Sequence, residues 1–142
     1  MSALILCLRI AGGLLMVLAA AHVPICRHFH WQEEAKTLSP FNRQVLLVHA
    51  FFIALAVGLM GALVFFWARA LTEPSALGFP VAAGLTLFWS ARLFVQLFVY
   101  DRALWRGKRF ETTMHVLFTA FWTYLVFVFA WCARLQWSSP GR

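Results

Sequence analysis

The chain has 142 residues, of which 63% are apolar, 17% aromatic and only 12% charged, with a mean hydropathy of +0.79 and a formal net charge of +7. A soluble domain carries about 25% charged residues, so this composition excludes one. A helix needs about 20 mostly apolar residues to cross a bilayer, so four crossings use most of the chain and leave no room for a separate soluble domain. The fold class expected is an all-α integral membrane protein, a four-transmembrane-helix bundle in one domain.

The first span is expected over 3–21, interrupted only by Arg9. The run Ala19-Ala20-Ala21 before His22 has the form of a signal-peptide cleavage site, but the N-terminus lacks a basic segment, so a retained helix is expected. Residues 22–42 form the longest polar stretch, bracketed by Pro24 and Pro40. Within it, Trp31 to Leu38 can form a short interfacial helix, with Trp31 and the stem of Lys36 as anchors. Ser39-Pro40-Phe41-Asn42 reads as a cap and turn into the second span, 43–67. Gly58 and Gly61 in that span allow a neighbouring helix to come close. A short Pro-containing link leads to the third span, 81–100, and the polar link 101–111 to the fourth, 112–133.

The basic residues cap hydrophobic segments and form no continuous stripe, which argues against nucleic acid and for anionic lipid headgroups. Arg27, Lys36, Arg43, Arg102, Arg106, Lys108 and Arg109 lie on the side of the 22–42 and 101–111 loops, against Arg69, Arg134 and Arg142 on the other. By the positive-inside rule those two loops are cytoplasmic and both termini outside, in a bacterial-type inner membrane. Trp67, Trp131 and Trp137 at one end and Trp31 and Trp105 at the other fit two interfacial belts. Cys7, Cys26 and Cys132 are odd in number and widely spaced, which argues against a disulfide framework and a thiolate zinc site. Cys7 and Cys132 read as small hydrophobes; Cys26, beside Arg27, reads as an ordinary cysteine, with a more reactive thiol or a ligand as the alternative.

All five histidines, His22, His28, His30, His49 and His115, fall toward the cytoplasmic end. Arg92, Gln96 and Tyr100 recur every four residues and so share one stripe of the third span. At 1.5 Å rise per residue, His49 and Arg92 lie roughly 10–12 Å inside the membrane boundary, and Gln96 and His115 roughly 6 Å. An ionisable group at that depth is costly unless paired or hydrated, so the candidate ligand-binding cluster is His22, His49, Arg92, Gln96, Tyr100 and His115. A competing reading makes them ordinary interhelical glue, with Arg92 paired to Asp101 and with Gln96 and Thr119 bonding across helices.

Four helices with histidines near one face resemble, in architecture alone, small membrane cytochromes b and quinone-linked anchor subunits. Three functions are compatible with these residues. The first is an accessory subunit of a larger, redox-type membrane complex, with other subunits or a second copy as partner. The second is electron transfer, with a b-type haem between two histidines or a metal ion on His22, His49 and His115. The third is an enzyme or carrier for a lipid, quinone or other amphiphile, with Arg92 holding an anionic head group and His49 or His115 moving protons.

Overall fold

The computed structural model describes residues 2–28, 33, 35–101, 103 and 105–138, with the side chains of 23–28 left aside. Four of its helices are long and apolar enough to cross a membrane, over Ser2–His22, Pro40–Phe66, Gly78–Val99 and Arg109–Ser138. The protein is all-α, consistent with a four-transmembrane bundle. Helix α1 runs Ser2–His28, α2 Pro40–Phe66, the short α3 Ala68–Thr72, α4 Gly78–Phe94 and α5 Arg109–Ser138.

Each helix extends beyond the hydropathic segment that announces it. α1 continues through Pro24, whose ring removes one ladder N–H and crowds the carbonyl one turn before it, an interruption that membrane helices tolerate. Between α1 and α2 the described residues hold one 3₁₀ turn, Ala35–Thr37, beside an exposed Lys36–Glu33 ion pair at 2.7 Å. The Trp31 end of the expected interfacial helix lies outside the described residues, as do His30 and the side chains of Cys26 and His28. The Ser39 Oγ accepts from the Asn42 N–H at 3.4 Å and Pro40 occupies the first turn, so α2 starts three residues before its apolar run.

The chain divides into two packing units, 8–68 and 1–7 with 69–142. In the first, α1 and α2 run antiparallel and touch at glycine. A Cβ on Gly12 would lie 2.6 Å from the Phe65 N and 2.7 Å from the Gly61 O, and one on Gly61 would lie 2.9 Å from the Gly12 O. Gly58 faces Ala19 one crossing turn away. Small residues thus let the two backbones meet, as van der Waals packing in lipid requires. Toward its start α2 departs from this pattern: every residue from Pro40 to His49 is exposed, and so are most of those up to Ala56.

In the second unit α4 and α5 run antiparallel, with Gly78 against Gln136 at one end and Gln96 against His115 at the other. Gln136 is 3% exposed and fastens the link before α4. Its Nε2 donates to the Leu71 and Glu73 carbonyls, both at 2.7 Å, and its Oε1 accepts from the Ser75 N–H at 3.4 Å. The buried Cys132 thiol also donates to the Leu71 carbonyl. These contacts satisfy backbone groups that a turn between two spans would leave unpaired. The first turn of α1 joins this unit where the Tyr124 hydroxyl donates to the Cys7 carbonyl at 2.9 Å.

Candidate functional site

Near Gln96 the α-helical ladder of α4 gives way to a π-helical turn, Val95–Val99, closed by the Tyr100 N–H on the Val95 carbonyl at 3.3 Å. Such turns are rare and recur at functional sites. Arg92 enters it from the last α-turn and Tyr100 leaves it. The four-residue stripe survives the change of helix, because the Arg92 guanidinium lies 5.6 Å from the centre of the Tyr100 ring.

Three side chains form a relay across α4 and α5. The Arg92 Nη1 donates to the Gln96 Oε1 at 3.2 Å, and the Gln96 Nε2 lies 2.9 Å from the His115 Nδ1. Arginine has no acceptor, so it fixes the amide with its oxygen toward Arg92 and its NH₂ toward His115. His115 must then accept at Nδ1, and its neutral ring carries the proton on Nε2. Gln96 is 5% exposed, while Arg92 and His115 on either side of it are half-buried, so both ends of the relay are reachable.

Aromatic rings wall this relay. The Arg92 guanidinium sits 5.0 Å over the Trp122 ring, which stacks on Trp89 at 5.1 Å and on Phe118 at 5.6 Å. Trp105 stacks on the His115 ring at 4.4 Å and 10°. Gly107 makes that placement available: its φ of 83° suits glycine at the third position of a turn closed by the Lys108 N–H on the Trp105 carbonyl. The Thr112 hydroxyl also bonds the Trp105 carbonyl at 2.6 Å. The indole N–H groups of Trp89, Trp105 and Trp122 are buried without an acceptor among the described residues.

Arg92 carries a positive charge roughly 10 Å inside the end of its span, by helical rise from Val99. Among the described residues it is in no ion pair, and Gln96 is its one hydrogen-bond partner. The Asp101 Oδ1 instead accepts from the Ala103 N–H at 2.9 Å, in the local turn that aspartate favours. The threonines do not bridge helices either: Thr119 donates to the His115 carbonyl of its own helix at 2.7 Å, and Thr123 to that of Thr119 at 2.8 Å.

His22 and His49 belong to the other packing unit. Each bonds through Nδ1 to a carbonyl of its own helix, Leu18 and Val45 respectively, at 2.8 Å. A carbonyl only accepts, so Nδ1 carries a proton and Nε2 is the ring nitrogen outside this bond. Extending the Gly12–Phe65 and Ala19–Gly58 register places His22 level with about Leu55, roughly 9 Å along the axis from His49. No group of three His, Cys, Asp or Glu side chains is placed to hold a metal ion among the described residues.

Trp67 and Trp131 are exposed near helix ends, while Trp105 packs inward on His115. Sequence reading passed over Trp89 and Gln136, and it takes the aromatic run from Phe118 to Trp122 to face lipid or a partner, whereas Trp122 is buried. Trp89 stands one helical turn before Arg92, which was a usable signal; Trp122 and Gln136 acquire a role only through the pairing of α4 with α5. Comparison with protein-family models, with curated proteins and with solved structures yields no match, so the reading of this site rests on its geometry.

Proposed function

We propose that the chain is a small membrane-embedded binding protein, acting on an amphiphile whose head group is received by Arg92 beside the Gln96–His115 relay. One observation carries this reading: an intramembrane guanidinium with one amide partner and no counter-ion among the described residues. Such a charge costs several kcal/mol in hydrocarbon unless something compensates it. Half-exposure of Arg92 and His115 gives such a molecule access to the head-group position. The positive-inside bias supports entry from the cytoplasmic leaflet.

The relay also bears on the haem reading. A histidine ligates a metal through a lone pair, and His115 has committed its lone pair to Gln96. His22 and His49 keep Nε2 outside their carbonyl bonds, at different levels of their helix pair.

A second reading, an accessory subunit of a larger membrane complex, draws on the start of α2. Exposure of Pro40 to His49 on every face is more than one lipid-facing stripe requires, and it leaves a histidine in apolar surroundings. Purification in a mild detergent tests both. Lipid extraction and mass spectrometry should find a small amphiphile with the wild type and not with Arg92→Leu, at similar helicity. A stoichiometric membrane-protein partner that survives Arg92→Leu, with no bound amphiphile, would favour the second reading.

A further inference from the structure

The hydrogen-bond polarity of the relay restricts what it can receive. Arg92 uses one of its five N–H donors on Gln96 and has no acceptor. Gln96 spends its Oε1 on Arg92 and an Nε2 proton on His115. His115 accepts through Nδ1 and therefore offers only Nε2–H. Along the relay the unspent positions are donors, apart from the second lone pair of the Gln96 Oε1. A hydroxyl or an amine would leave the charge of Arg92 uncompensated, and a cationic head group would meet it. A neutral carbonyl could accept but would leave that charge uncompensated.

We infer that the group bound at Arg92 is an oxyanion, a carboxylate or phosphate, lying along the free edge of the guanidinium. This rests on the reading of Arg92 as a binding site and narrows its ligand class. Planar guanidinium matches both oxyanions through paired N–H bonds, which a lysine ammonium does not reproduce. The same chemistry could come from an anionic amphiphile or from free phosphate, and the experiment separates them.

The probe is tritiated oleate, bound by purified protein in a nonionic detergent, with oleyl alcohol, a decyl-substituted quinone and inorganic phosphate as competitors. Arg92→Leu, Arg92→Lys and Gln96→Leu are compared with the wild type, and circular dichroism reports folding. Oleate should bind saturably, resist oleyl alcohol and the quinone, and weaken by roughly 10- to 100-fold in Arg92→Leu, the range of one to two charge-assisted hydrogen bonds. Arg92→Lys should fold and weaken binding several-fold, which decides the matter if the leucine variant unfolds. Gln96→Leu should weaken it less, because the charge remains. Displacement by inorganic phosphate at similar concentration would keep the oxyanion and make the source a free anion. Displacement by the alcohol, or Arg92-dependent binding of the quinone without oleate, would overturn the oxyanion while leaving a binding site at Arg92. No Arg92-dependent binding of any probe would overturn both.

Discussion

Replacing Gly12 by alanine adds one methyl group where the backbones of α1 and α2 meet. The new Cβ would stand 2.6 Å from the Phe65 N and 2.7 Å from the Gly61 O, against 3.4 Å for ordinary contact, so local separation of 0.8 Å is needed. Both obstacles are backbone, and no side chain can rotate away. A gap of 0.5–1 Å forfeits about a quarter to a half of each dispersion contact it opens. Those contacts include Gly61 with Leu15 and Met16, and Gly58 with Ala19. Overpacking of this kind costs about 1–3 kcal/mol, which for a chain of this length lowers the melting temperature by roughly 2–12 °C. Gly84→Ala is the control, since its Cβ would meet nothing within 4 Å in mid-helix. There alanine should gain about 0.5–1 kcal/mol through helix propensity. Thermal unfolding in detergent, followed by circular dichroism, should move the two variants in opposite directions. A Gly12→Ala protein melting at or above the wild type would refute the glycine crossing.

Gln136→Leu removes the amide donor shared by the Leu71 and Glu73 carbonyls, and should cost about 1–3 kcal/mol and speed tryptic cleavage at Arg69; unchanged cleavage would show that the link does not depend on this latch. With the native cysteines replaced by alanine, Ser138→Cys should react with an impermeant maleimide added outside intact cells and Lys108→Cys should not. The reverse pattern would invert the proposed orientation.

The four helices were legible because spanning a bilayer demands long apolar runs, and nothing in 142 residues hides them. Their ends were less so. Ser39 and Pro40 announce a helix start that hydropathy places later, and α5 begins at Arg109 because polar residues continue a helix as readily as apolar ones once it is nucleated. Spacing identified Arg92, Gln96 and Tyr100 as one stripe, and the structure brings Arg92 to both of the others. Spacing within one helix cannot state which neighbour faces it. That is why His115 and Gln96 belong to one candidate cluster in the sequence with no pairing between them, and why Trp105 looked like an interfacial anchor rather than a ring stacked on His115. Gln136 gave no signal because its partners are backbone carbonyls, which carry no residue identity.

The most direct measurement is an experimental structure of the protein extracted with its native lipids. Non-protein density should lie at hydrogen-bonding distance, about 2.7–2.9 Å, from the free edge of the Arg92 guanidinium, with the Gln96–His115 contact intact. An Arg92 side chain turned out to bulk headgroups, with Gln96 and His115 apart and no density between them, would contradict the binding site.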